Sequence, residues 1–421
     1  MEMRPGYKQT ETGVVPEDWR SESIGEFSIC FSGGTPRTSN PRYYGGDIPW
    51  ITSSDLNRGR IVEVAGRITP VGLENSSAKI IAPGTLLLAL YGATAGVCAV
   101  SELVAAINQA VLAIIPRSVD TEYLYQYLTS AKDDLIRTYT QGGQPNLSGG
   151  IVKSFTVPVP PTEEEQRAIA TTLSDVDALL GGLDRLVTKK RALRQAAMQQ
   201  LLTGETRLPG FHSEWEPLNM ARNSLLKARI GWQGLTTAEY LASGTHYLVT
   251  GTDFSAGRVN WETCPFVAAD RYEQDRNIQL CPHDVLVTKD GTIGKVAFVD
   301  ELPGPATLNS GVFVIRPRGS AYEARFLFHI LASTVFEDFL TKLAAGSTIS
   351  HLYQKDFVSF AFLAPPTLEE QSAIAEALDD MAAELAALEV RRDKTRDLKR
   401  AMMQQLLTGK TRLVLRGPAN V

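Results

Sequence analysis

Two stretches of the chain carry a strong period. Ile169, Leu173, Val176, Leu180, Leu183 and Val187 step by four and three in alternation, and Ile374, Leu378, Met381, Leu385 and Leu388 do the same. This spacing predicts two helices, each with one apolar seam of the coiled-coil type. The boundaries agree with it. Pro160-Pro161-Thr162 precedes Glu163-Glu164-Glu165, and Pro365-Pro366-Thr367 precedes Leu368-Glu369-Glu370, which places Thr at the N-cap and Glu at N3 in a capping box. Gly204 and Gly409 supply the stops. Each helix is then about 40 residues, or about 60 Å, long at 1.5 Å per residue. The seams meet a polar position at Lys190 and Arg392 and resume at Leu193 and Leu398. A long helix with one seam must bury it, and the obvious partner is the other helix, packed antiparallel. Gly181-Gly182 in the first helix corresponds to Ala386-Ala387 in the second, small pairs that suggest a close crossing or a bend.

The blocks before each helix show a different pattern. Short β-rich runs (Ile61-Val62-Glu63-Val64, Val285-Leu286-Val287-Thr288, Val312-Phe313-Val314-Ile315) alternate with turn residues, and Lys289-Asp290-Gly291-Thr292 is a hairpin signal. One helix is expected around 121–137 and another around 321–343. The fold class is therefore α+β. Ile80 to Ser101 is free of charge, but its prolines and glycines fit two buried strands around a turn better than a membrane span.

The chain is an internal duplication. Residues 160–208 and 365–413 align without a gap and agree at 28 of 49 positions. The blocks repeat more faintly. Ala82-Pro83-Gly84-Thr85-Leu86-Leu87-Leu88 parallels Cys281-Pro282-His283-Asp284-Val285-Leu286-Val287, and Ile107-Asn108-Gln109-Ala110 parallels Leu308-Asn309-Ser310-Gly311. One scaffold with two different polar surfaces suits two different recognition tasks. Gly13-Val14-Val15-Pro16-Glu17-Asp18-Trp19 resembles the segment up to Trp215 that follows the first helix. The N-terminal segment is thus expected to complete the second repeat in space, giving a circular, pseudo-two-fold arrangement.

Length and composition narrow the function. With 421 residues, 43% apolar and 21% charged, the chain can bury two or three proper cores. Cys30, Cys98, Cys264 and Cys281 form no CxxC pair, and the N-terminus shows no apolar leader core, so a cytoplasmic, reducing location is expected. The net charge of −5 argues against a simple nucleic-acid binder. Blocks 1–159, 160–208, 209–364 and 365–421 carry −2, 0, −3 and 0, so none is basic as a whole. Catalytic motifs fail. Gly291-Thr292-Ile293-Gly294-Lys295 has the wrong spacing for a phosphate loop, and Asn40-Pro41-Arg42-Tyr43 is broken at Arg42 relative to adenine methyltransferases. The histidines show no metal spacing. These failures point to a binding and scaffolding protein, not an enzyme.

The helix openings Pro-Pro-Thr…Glu-Glu-Gln, the closings Gln-Gln-Leu-Leu-Thr-Gly-x-Thr-Arg-Leu, and Tyr7-Lys8…Pro16-Glu17-Asp18-Trp19 resemble the DNA-specificity (S) subunit of type I restriction–modification enzymes. The resemblance implies target recognition domains at 1–159 and 209–364, each reading half of a bipartite sequence in double-stranded DNA. Spacer helices at 160–208 and 365–421, the latter with the C-terminal tail, would set the gap. They would also dock two methyltransferase (M) subunits, with restriction (R) subunits joining. S-adenosylmethionine, and ATP and Mg for restriction, would be bound by those partners and not by this chain.

The resemblance also implies loops near DNA. The candidates are Gly33, Gly34, Thr35, Arg37, Arg42, Tyr91, Gln144 and Asn146 in the first block, and Arg229, Trp232, Gln233, Lys289, Thr292, Lys295, Ser347, Thr348 and His351 in the second. Arg58 and Arg60 could add to a local basic face. The helix interface would be Ile169, Leu173, Val176, Leu180, Leu183, Ile374, Leu378, Met381, Leu385 and Leu388. Two other readings remain: a specificity subunit whose partner fuses methyltransferase and nuclease, and a scaffold that binds proteins and not DNA.

Overall fold

A computed structural model describes residues 5–139, 146–230, 234–344 and 351–413. The chain forms two compact units, one of residues 1–184 and 391–421, the other of 185–390. Both boundaries fall inside the long helices, Glu163–Leu202 and Leu368–Leu406.

In unit 1 a five-stranded sheet runs in the order Ser28–Ser32, Val111–Pro116, Thr85–Ala89, Cys98–Ser101, Arg60–Ile61. Its central strands are covered on both faces. Leu86 and Leu88 join Ile114 in one core cluster, and Leu87 and Ala89 join Ala113 in another. This explains the uncharged run at 80–101: a strand buried on both sides needs no polar alternation. Among the described residues no helix is long and apolar enough to cross a membrane. Unit 2 repeats the plan. Its larger sheet runs Ser224–Ala228, Val312–Pro317, Val285–Thr288, Val296–Phe298, Arg258–Val259, Phe254–Ser255. The expected hairpin is present, with Val285–Thr288 antiparallel to Val296–Phe298.

Three local expectations need correction. The run at 61–64 contributes only Arg60–Ile61 to a strand. Each single helix after Pro-Arg is two: Thr121–Ser130 and Lys132–Tyr139 in unit 1, Ala324–Leu331 and Thr334–Leu343 in unit 2. In unit 2 the break is made by Ser333, whose hydroxyl accepts from Val335 N at 3.3 Å and starts the second helix as its N-cap.

The capping boxes are half right. The hydroxyls of Thr162 and Thr367 accept from the amides of Glu165 (3.2 Å) and Glu370 (3.4 Å). The glutamates do not reach back. Each is 1% exposed and meets an arginine from the closing motif of the other helix. Arg207 grips Glu370 with two bonds of 2.6 and 2.7 Å. Arg412 grips Glu165 and also Asp18, at 3.0 and 3.2 Å. The next residue, Gln166 or Gln371, donates to Pro160 O or Pro365 O and accepts from the backbone of Asp120 or Glu323, the N-caps of the helices Thr121–Ser130 and Ala324–Leu331.

Within each unit the helices run antiparallel. In unit 1, Glu165, Asp177 and Asp184 meet Arg412, Lys399 and Arg392 in descending order. In unit 2, Arg207 meets Glu370, while Lys190 and Arg191 meet Glu384 and Glu389. The seam is used unevenly. Ile169 and Leu173 enter the core of unit 1, Ile374 and Leu378 that of unit 2. Leu183 is buried, while Val176, Leu180, Met381, Leu385 and Leu388 are half-buried.

The N-terminal segment packs on the end of the second long helix, as expected, and that end belongs to unit 1. Tyr7 donates to Gly409 O at 3.1 Å, and a Cβ on Gly409 would meet Pro16 at 2.5 Å. In unit 2 Gly204 sits against Trp215 in the same way.

The expected close crossing does not occur at Gly182. A Cβ there meets nothing within 4 Å, and the helix is unbroken. Gly182→Ala is therefore expected to stabilise the protein by about 1 kcal/mol through backbone entropy alone. Thermal unfolding checks this, and a lowered midpoint would reveal a hidden contact. Arg412→Ala leaves a buried carboxylate unpaired, so a loss on the order of 3 kcal/mol is expected. Denaturant unfolding that showed no change would mean that the pair contributes nothing.

Candidate nucleic-acid interface

The sheet registers place the two units in correspondence. Leu112 lies opposite Ser32 in unit 1, and Phe313 opposite Ala228 in unit 2, so Gly33 and Arg229 occupy the same place. Three connections then converge at one end of the central strands in each unit.

In unit 1, Leu90 N bonds Ala110 O at 2.8 Å and Leu147 N bonds Leu90 O at 2.7 Å, which ties Tyr91, Gln109 and Asn146 together. Tyr91 and Asn146 form an isolated antiparallel bridge. Thr35 donates its hydroxyl hydrogen to the Gln109 side chain. In unit 2, Lys289 N bonds Gly311 O at 2.9 Å and Leu352 N bonds Lys289 O at 2.8 Å. The matching bridge is Asp290–His351. One backbone frame thus presents Thr35, Tyr91, Gln109 and Asn146 in unit 1, and Asp290, Ser310 and His351 in unit 2.

The loop that resembled a phosphate loop closes this hairpin. Thr288 accepts from Lys295 N at 2.9 Å and donates to Thr292 O at 2.5 Å. Gly291 and Gly294 take positive φ of 69° and 82° within it. No helix follows the lysine, so the arrangement lacks the helix N-terminus that binds phosphate in a true phosphate loop. Thr292 is exposed within the loop and Lys295 at its base, opposite Thr288.

Several candidate residues prove structural. Arg229 is corrected outright. It is 2% exposed, donating from Nε to Leu308 O at 2.8 Å and from Nη2 to Thr307 Oγ1 at 3.2 Å. Burial, then the nearby Arg271, holds its guanidinium below the ordinary value. It fastens a loop and faces no solvent. Gly33 and Gly34 are also buried. A Cβ on Gly33 would lie 1.8 Å from Ile107 O, and one on Gly34 2.1 Å from Ser77 Oγ. Their small size lets the loop lie on its neighbours, not a phosphate on the loop.

Arg60 is paired with Glu122 at 2.5 Å and Arg58 donates to Glu63 O at 2.9 Å, so part of the expected basic face is spent within the unit. Arg37 and Arg42 are exposed. Lys289 is half-buried, its Nζ 3.6 Å from Asp290 and 5.8 Å from the centre of the Phe313 ring. Gln144, Trp232, Gln233, Ser347 and Thr348 lie outside the described residues. Gln109 and Ser310 were not singled out from sequence, and Asp290 only as part of the hairpin signal. The signal was present in the parallel loops Ile107–Ala110 and Leu308–Gly311, which keep Asn and then diverge.

In unit 2 the block before the second long helix is fastened to that helix by a polar cluster. His329, fully buried, bonds Asp379 at 3.0 Å, and Arg325 bridges Asp379 (2.8 Å) to Asp300 (2.9 Å). Among the described residues no group of His, Cys, Asp and Glu could hold a metal ion.

The model of the type I restriction modification DNA specificity domain matches residues 16–186 and again 243–394. The chain belongs to this family. The MjaVIII specificity subunit of Methanocaldococcus jannaschii is 24% identical over 97% of this chain and 96% of its own. The MjaIX specificity subunit of the same organism is 34% identical over 41% of each. The crystal structure of a type I S subunit from M. genitalium superposes with a TM-score of 0.62 over 96% of this chain and 99% of its own, at 15% identity, a likeness of fold.

The Asp379 carboxyl is held below the usual range by the His329 hydrogen bond first, with Arg325 adding to it. A depressed folded-state pKa contributes stability above the unfolded value of about 3.9 that is lost as pH falls through the folded value. Asp379→Asn is therefore expected to flatten the fall in stability below about pH 4. Equal slopes for variant and parent in acid unfolding would refute it.

Proposed function

We propose that this chain is the DNA-reading component of a type I restriction–modification complex. The block before each long helix reads one half of a bipartite duplex target. The long helices set the gap and dock methyltransferase subunits. Those partners bind S-adenosylmethionine and carry the chemistry, and restriction subunits with ATP and Mg complete the complex where present.

The observation that carries the reading is the conserved frame with changed side chains. Two family domains share backbone bridges, yet hold Tyr91 and Asn146 in one and Asp290 and His351 in the other. A duplicated scaffold that bound one protein partner twice would have no need for this divergence. Direct base readout does, because each base pair offers its own pattern of donors and acceptors in the major groove. Docking is supported by apolar residues left exposed on the helices. Leu186 and Leu193 are 38% and 47% exposed in unit 2, and Leu398 is 57% exposed in unit 1. The overall charge of −5 fits a reader whose partners supply much of the phosphate contact.

The test is co-expression with the adjacent methyltransferase gene, followed by methylome sequencing of the host. Adenine methylation at one bipartite site is expected. Replacing 209–364 by the same block of a relative should change one half of that site alone. Absence of methylation, or change in both halves, would refute the reading.

A further inference from the structure

The bridge between Asp290 and His351 joins side chains as well as backbones. His351 Nδ1 hydrogen-bonds Asp290 Oδ1. An ionised carboxylate can only accept, so the nitrogen facing it carries the hydrogen. In the neutral imidazole that fixes the tautomer: Nδ1–H turned to Asp290, and Nε2 left with its lone pair. Tyr353 packs on the imidazole, ring centres 4.5 Å apart, which holds its plane. The His351 side chain is still 29% exposed. The ring is thus oriented, bound at one nitrogen and open to solvent. At the same bridge in unit 1 stand Tyr91 and Asn146, a phenol and an amide.

We propose that His351 is a base-reading residue of unit 2 and that Asp290 is its positioning residue. Nε2 accepts a hydrogen bond from the exocyclic amino group of a base, N6 of adenine or N4 of cytosine, in the major groove. The proposal rests on the DNA-reading function given above. A phosphate is the wrong ligand for two reasons. A bare Nε2 is an acceptor facing an acceptor, and the carboxylate beside the ring repels an anion.

The surrounding charges do not alter this. Lys289 is engaged with the same carboxylate at 3.6 Å. Lys355 lies over the Tyr353 ring at 5.6 Å. Asp356 follows it in the same short helix, and Lys295 is exposed at the far end of the hairpin loop. The Asn309-Ser310-Gly311 loop brings no charge.

The experiment uses the complex of this chain with its co-expressed methyltransferase. Methylation rates are measured on the site found by methylome sequencing and on duplexes with each base pair of the second half-site replaced. The parent should discriminate about tenfold or more at one position carrying adenine or cytosine. H351A should lose that ratio, with the first half-site ratios constant. D290N should keep methylating and keep the first half-site ratios but show a weakened ratio at that one position. Which base occupies the position distinguishes adenine from cytosine. Retention of every second half-site ratio in H351A overturns the proposal. So does an equal loss on all sequences, which would assign the ring to phosphate. Absence of any site-specific methylation by the parent complex would instead fail the DNA-reading function itself, and this proposal with it.

Discussion

Everything in each unit hangs from one buried ion pair. A glutamate in the first turn of one long helix is removed from water and met by an arginine just beyond the end of the other. A carboxylate that is 1% exposed is tolerable only if a cation with matching geometry reaches it, and a guanidinium does so with two bonds. The pair fixes where one helix starts relative to where the other stops. The glutamine that follows ties the same turn to the start of the helix Thr121–Ser130 or Ala324–Leu331 through Asp120 or Glu323. The tryptophans close the joint, with Arg412 5.9 Å above Trp19 and Arg207 5.7 Å above Trp215. The short motifs that repeat most faithfully are therefore the ones that assemble the scaffold, while the surfaces used for recognition are free to diverge.

The long helices were legible because their signals are local: a four-three apolar step, a threonine before acidic residues, a glycine at the end. The duplication was legible from identity alone. The capping box misled because it describes a glutamate with no better partner. Arg412 lies 247 positions from Glu165, and no local rule announces it. Gly33 and Gly34 misled in a related way. A glycine pair near a loop fits both a ligand and a close-packed neighbour, and the neighbour, Ile107, becomes visible only after the strands pair. Arg229 read as a cation for DNA, although it stands where unit 1 has a glycine and fills that room with its own side chain. The convergence of Tyr91, Gln109 and Asn146 required three separate connections to be folded onto one end of the central strands, which no spacing rule encodes.

Backbone strain shows the same division between frame and surface. His283 takes a positive φ of 71° where unit 1 has Gly84 at 81°. The turn shape is kept across the repeat even where the residue that suits it has been lost, at some cost to the side chain that now carries it.

The two units also differ in how they are threaded. Unit 2 is one uninterrupted run, 185–390, whereas unit 1 needs both 1–184 and 391–413. On a ribosome the first-made recognition block must therefore wait. Its closing contacts, Gly409 on Trp19 and Arg412 on Glu165, become available only after all of unit 2 has been synthesised and can already be folded. Closing so long a loop costs little more entropy than closing a shorter one. What it costs is time, during which Met403, Leu406 and Leu407 are missing from the core cluster that holds Trp19, Ile169 and Leu173. The last turns of the second long helix are thus the latch that completes the core of the block made first.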